Sequence, residues 1–185
     1  MKKISSILFL VALSVQFVFA QELKAPAEGK ALIVFTRSAL DAPIIKFSYF
    51  DGDRFIGKIG AGSYVAYECD PGKHVFWGKS ENLDFLEADL EANQTYIVET
   101  RVKTGILKAR IKLVHYDPKM KNAEKFKESL LKRIAKRKEV SADVITDAED
   151  AEDNLKATIE KGLAEYQKRK DKGKEIEVLT PDMHI

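Results

Sequence analysis

The sequence predicts a mainly β protein: an antiparallel β-sandwich of seven to eight strands with a C-terminal appendage of two amphipathic α-helices. Three observations predict it. Between residues 30 and 116, short apolar or alternating runs rich in Val, Ile, Phe and Tyr are broken by turn residues at close intervals, which is how antiparallel strands read. Beyond Tyr116 the apolar period lengthens to four residues, as a helix laid on a core requires. No helical pattern interrupts the strand block, so its strands must stack on one another as two sheets.

The first segment, MKKISSILFLVALSVQFVFA, has Lys2 and Lys3, a short apolar run, and Val18-Phe19-Ala20. A basic start, a greasy middle and small residues before a cut describe a secretory signal peptide over residues 1–20. The run is too short and wrongly flanked for a good transmembrane helix. Cleavage near Ala20 sends the mature chain to the periplasm or the medium. A bacterial lipoprotein needs a cysteine at the cut, and the single cysteine is Cys69, so a lipoprotein is not expected.

The β block occupies residues 30–117. KALIVFTR and IIKFSYF lead to the turn Asp51-Gly52-Asp53, then RFIGKI, Ala61-Gly62 and SYVAYEC. Asp70-Pro71-Gly72-Lys73 follows, then HVFWGK, LDFLEADL, TYIVETRV and KARIKLVHY. Pro71 fixes φ and Gly72 accepts positive φ, so the pair fits the centre of a tight hairpin turn. That hairpin places Cys69 opposite His74 and Tyr67 opposite Phe76. Pro71, Gly72 and His74 thus form a structural turn motif.

The appendage covers residues 118–172. Asp117-Pro118 is a helix entrance, with Asp as N-cap and Pro first in the helix. Phe126, Leu130 and Ile134 mark a helix over residues 118–138; Leu155, Ile159, Leu163 and Tyr166 mark another over residues 147–170. The linker at 140–146 is short and polar, which favours a helical hairpin beside an independently folding sandwich. Residues 173–185 form a tail or an edge strand.

Charge excludes some partners. Removing Lys2 and Lys3 from 31 basic residues leaves a chain balanced against 29 acidic ones, with no overall pull toward nucleic acid or an anionic membrane. Locally the balance fails. Residues 119–139 carry nine basic and three acidic residues, and residues 140–153 carry six acids and no base. Opposed blocks so close can fold back on one another or engage a partner, while the plainer reading is two solvated helix faces.

Cys69 and His74 together have the residue types of a nucleophile and its base. Glu68 and Asp70 flank the thiol, however, and anionic neighbours oppose the thiolate. Neither an orienting group nor an oxyanion hole lies nearby in sequence. Asp51-Gly52-Asp53 lacks the later ligands of a calcium loop. His74, His115 and His184 have no zinc spacing. Asp84, Glu87 and Asp89 read as an outward strand face rather than a glycosidase pair. The sequence therefore assigns no catalytic, cofactor or metal residue. Tyr64 and Trp77, with Tyr49 and Phe55, are the candidates for an exposed aromatic surface that holds a ligand.

GSYVAYECDPGKHVFW and LEANQTYIVE resemble a bacterial envelope family known as domain of unknown function 2846. The matching positions are Gly62, Tyr64, Pro71, Gly72, His74 and Tyr96, and the resemblance spans residues 30–116. It implies a sandwich akin to small envelope modules, and no activity comes with it. The expectation is an exported, non-enzymatic envelope module whose sandwich binds a protein or cell-wall ligand. The alternatives are a structural protein that self-associates through its helices, and a thiol-dependent hydrolase built on Cys69 and His74.

Overall fold

The structure is a computed structural model that describes residues 23–40, 44–104, 109–142 and 152–185. The signal peptide expected at 1–20 and most of the acidic stretch at 143–151 lie outside the described residues. Eight strands come from the expected β block: β1 Ala31–Arg37, β2 Phe47–Asp51, β3 Arg54–Ile59, β4 Ser63–Cys69, β5 Gly72–Lys79, β6 Leu83–Leu90, β7 Thr95–Thr104 and β8 Ala109–His115. Two more, β9 Lys138–Glu139 and β10 Glu177–Leu179, come from the C-terminal third, with helices α1 Ala123–Ile134 and α2 Glu152–Asp171.

The strands form two five-stranded sheets, ordered β8-β7-β1-β4-β9 and β10-β6-β5-β2-β3. Both are mixed. β1 runs parallel to β7, β9 parallel to β4, and β10 parallel to β6, while the other pairings are antiparallel. Between the sheets lies the main core, with Ile33, Phe35, Tyr49, Val65, Phe76, Leu86, Tyr96 and Leu113 among its members. The Tyr49 hydroxyl crosses this layer to donate to Thr100 Oγ1 at 2.7 Å.

The outer faces are apolar too. Leu32, Val34, Tyr64 and Ile97 form one patch, covered by Phe126, Leu130 and Ile134 of α1. Phe50, Phe55, Trp77 and Phe85 form the other, on the opposite sheet, covered by Leu155, Ile159 and Tyr166 of α2. The molecule is therefore layered α/β/β/α. The expected helical hairpin is not formed, because each narrow apolar stripe has a broader apolar sheet face to cover. Ionic contacts reinforce both dockings. Arg133 of α1 lies 3.2 Å from buried Glu99 on β7, and Lys170 of α2 lies 2.6 Å from Glu87 on β6.

Helix α1 begins later than Asp117-Pro118 suggests. The Asp117 carboxylate accepts from Lys119 N at 2.8 Å, which holds Pro118 in a turn, and Asn122 has a left-handed φ of 62°. Asn is among the few residues that tolerate that conformation, and helical geometry starts just after it.

The Pro71-Gly72 turn also differs from expectation. Gly72 does take positive φ, at 115°, but the two strands it joins belong to different sheets. Cys69 pairs with Ala31, and His74 pairs with Ala88. The turn is a crossover between sheets, not a hairpin. Tyr67 and Phe76 still meet, edge to face at 6.5 Å, across the inner core rather than across a ladder.

The C-terminal tail ties the sheets together. β10 extends the sheet at β6, and Ile185 N then donates to Thr95 O at 2.9 Å on the other sheet. Lys119 and Asp182 close the strap with an ion pair of 2.8 Å. At the side of the sandwich, Asn82 accepts from Ile111 N at 2.7 Å and donates to Ile111 O at 3.0 Å. Asp84 accepts from Leu113 N at 2.7 Å. Two side chains next to or in β6 thus bond the outer margin of β8.

Candidate functional site

Two places concentrate polar chemistry. The first is the end of the sandwich at the Pro71 crossover. Asp51 closes β2 at the turn into β3, and its Oδ2 accepts from both His74 Nδ1 at 2.8 Å and the Tyr67 hydroxyl at 3.3 Å. His74 Nε2 faces Asp70 O at 2.8 Å, and its ring stacks on Phe76 at 5.2 Å. Both ring nitrogens face acceptors, so imidazolium, with two N–H donors, satisfies the site completely. The Asp51 hydrogen bond accordingly raises the His74 pKa against the opposing effect of burial.

Neither ring nitrogen is left to serve Cys69 as a base. The thiol is buried, and burial, then the Asp51 and Asp70 carboxylates, push its pKa up to about 12. At neutral pH the thiolate that a nucleophile needs is almost absent. The cluster is a polar clasp between sheets: Tyr67 comes from one, Asp51 and His74 from the other.

Tyr64 and Trp77 do not form a ligand surface. They lie on opposite outer faces, are 1% and 0% exposed, and sit beneath α1 and α2 respectively. Trp77 stacks on Phe50 with centroids 3.8 Å apart, and its Nε1 donates to Gly52 O at 2.8 Å. Tyr49 and Phe55 are buried as well. Aromatic residues on both strand faces became core because both faces are covered.

His115 Nδ1 faces Tyr116 O at 3.1 Å, and His184 Nδ1 faces Pro181 O at 3.0 Å, so the three histidines occupy separate places. Among the described residues, no group of three or more His, Cys, Asp or Glu is placed to hold a metal ion. Asp84 is not on an outward face with Glu87. It turns to the sandwich margin, where burial raises its pKa, whereas Lys170 and Tyr166 hold the Glu87 pKa low.

The second place was not expected. Ile44 and Ile45, which read as the start of a strand, lie outside β2 in the connection from β1. Leu40 is 90% exposed, Ile44 94% and Ile45 43%. The base of this connection is fastened. The Arg37 guanidinium, stacked 3.7 Å over Phe47, donates to Ile45 O and, at 3.5 Å, to Ile59 O. Ser38 O accepts from Gly62 N at 3.3 Å, joining the connection to the β3–β4 turn.

Immediately behind this tip is a basic row. Ser48 pairs with Lys58 on one side and Lys79 on the other, so two lysines flank it on three adjacent strands. Neighbours of this kind stand about 5 Å apart. Ile45, Lys46, Ser48, Lys58, Lys79 and Glu81 line a cleft of about 220 Å³ beside Leu155 and Thr158 of α2. Lys79 Nζ donates to Thr158 Oγ1 at 3.1 Å. Nothing in the run IIKFSYF marks its first two residues as lying outside the strand, because a proline such as Pro43 is also admitted at a strand's first position. No family model matches this chain, and no curated protein or solved structure matches it either.

Proposed function

We propose that the protein is an exported, non-enzymatic module of the bacterial envelope that binds a partner through the tip formed by Leu40, Ile44 and Ile45. The observation that carries this reading is the exposure of three large aliphatic side chains on one fastened connection. The other apolar faces of the fold are covered by α1 and α2. Isolated exposed hydrophobes are ordinary, but several within one short connection favour association. The basic, apolar start of the chain supports export with cleavage near Ala20, and the resemblance over residues 30–116 supports an envelope setting. The state of Cys69 and His74 speaks against a thiol hydrolase.

The test is photo-crosslinking in cells, with a photoreactive residue at position 44 and, as the comparison, at exposed Lys125 on α1. Adducts specific to position 44 are expected. Equal or absent labelling at the two positions would overturn the reading.

A further inference from the structure

We infer that Asn93, in the turn between β6 and β7, is the acceptor of an N-linked oligosaccharide added in the envelope. The assignment rests on the export step of the proposed function and is independent of the tip. Four asparagines stand in the chain, and only Asn93 is followed at the second place by a hydroxyl residue, in Glu91-Ala92-Asn93-Gln94-Thr95. Asn-x-Thr, with a middle residue other than proline, is the acceptor pattern of asparagine glycosylation and belongs on the surface of an exported protein. Glu91 adds an acid two residues before the asparagine, the extended form of the pattern read by bacterial transferases.

A motif this short also occurs by chance, so its setting decides. Glu91 and Asn93 are exposed, and Thr95 is half-buried. Asn93 has a left-handed φ of 64°, and its Oδ1 accepts from Gly29 N at 2.8 Å. That bond fixes which end of the carboxamide is oxygen and leaves Nδ2, the atom that carries the sugar, on the other side. Among the described residues, neither Nδ2 nor the Thr95 hydroxyl has a hydrogen-bond partner. The left-handed φ accounts for an asparagine at 93. It does not call for a hydroxyl at 95 or a carboxylate at 91.

The transfer is redox-neutral. Asn93 Nδ2 forms a bond to the anomeric carbon of an oligosaccharide carried on a polyprenyl diphosphate. The bond from that carbon to the diphosphate oxygen breaks, and the polyprenyl diphosphate leaves with the electron pair. Nδ2 gives up one proton to a base of the transferase. In the folded chain Leu32 N donates to Gln94 O at 3.0 Å, and Ile185 N donates to Thr95 O at 2.9 Å. The run must be free of both bonds to enter a transferase, so the sugar is added before β7 closes on β1. Export supplies that interval, because α1, α2 and β10 all follow β7 in the chain. The finished fold has room for the product, since the bond to Gly29 uses only Oδ1. Thr95 pairs with Leu32 at the start of β1, whereas Leu40 and Ile44 follow its end, so sugar and tip lie at opposite ends of that strand.

The test is intact mass spectrometry of the full chain, expressed in bacterial cells that carry an asparagine oligosaccharyltransferase and its lipid-linked oligosaccharide. A gain of one oligosaccharide mass is expected, mapped to Asn93 by peptide sequencing. Asn93→Gln and Thr95→Val should each abolish it, and Glu91→Gln should lower the modified fraction. Thr95→Val retains Asn93 and its bond to Gly29 N, so loss of the sugar with a little-changed melting curve separates recognition from folding.

An exported but unmodified chain overturns the inference and leaves the export reading standing. A sugar that survives Thr95→Val, or that maps to another residue, overturns it as well. A chain that keeps Met1 and stays inside the cell overturns both.

Discussion

Gly162 of α2 sits against the face of Trp77: a β-carbon built at Gly162 falls 2.5 Å from Trp77 Cη2. The indole is held from the sheet side by Phe50 at 3.8 Å, so it cannot retreat. In an exposed helix, Gly→Ala stabilises by about 1 kcal/mol. Here the sign reverses. Gly162→Ala should destabilise by about 1–3 kcal/mol, the cost of overpacking, and red-shift the emission of the single tryptophan. A raised melting temperature with unchanged emission would show that α2 does not cover Trp77.

Protonated His74 is held by Asp51 and by Asp70 O. Because its folded pKa is raised, its contribution is complete below the ordinary value of about 6.5 and is lost as pH rises through the folded value. A bond to a charged group of this kind is worth about 1 kcal/mol or more. Melting curves of the native chain and His74→Gln across pH should differ most on the acidic side and converge at alkaline pH. A constant gap would show that the imidazolium is not the favoured state.

At Gly72 the cost of a side chain is purely conformational. A β-carbon there meets nothing within 4 Å, while φ is +115°. Gly72→Ala should lower stability by about 1–2 kcal/mol through backbone strain alone. Denaturant melts measure this, and an unchanged midpoint would contradict the crossover geometry.

Cys69 should be unreactive in the folded chain. With its pKa near 12, the thiolate fraction at pH 8 is about 10⁻⁴, against roughly a quarter for a free cysteine. A disulfide reagent should label the native protein far more slowly than the unfolded one. Equal rates would mean that the thiol is exposed and ionisable.

Removing everything after residue 117 should not leave a soluble sandwich, contrary to the sequence expectation. The truncation bares Trp77, Phe85 and Tyr64, now 0%, 2% and 1% exposed, and deletes β9 and β10. Aggregation or loss of cooperative melting is expected. A soluble fragment with a sharp transition would restore the accessory view of the helices.

These outcomes trace what was legible in the sequence. Period-two runs and their turn residues gave the eight strands of the β block, because alternation and punctuation are local. The placement of α1 and α2 was legible only in part. All seven residues of ALIVFTR are buried, and a strand without polar alternation is one covered on both faces. Taken that way, the run called for a layer outside the sheet. The Pro71 crossover was not legible, since Pro-Gly specifies a reversal but not which sheet the next strand joins. Likewise the lysine row depends on the register of three strands, with Lys58 and Lys79 far apart along the chain.

The bonds from Asn82 to Ile111 have a consequence for crowded chains. An unpaired sheet margin offers alternating donors and acceptors to any other extended segment, which is how ordered aggregates begin. Asn82 presents one amide to both backbone groups of Ile111, imitating a residue of an absent neighbouring strand. Asp84 then occupies Leu113 N with a carboxylate that another strand pairing there would have to desolvate. Two side chains from within the same molecule thus occupy backbone groups at Ile111 and Leu113 that β8 would otherwise offer to another chain.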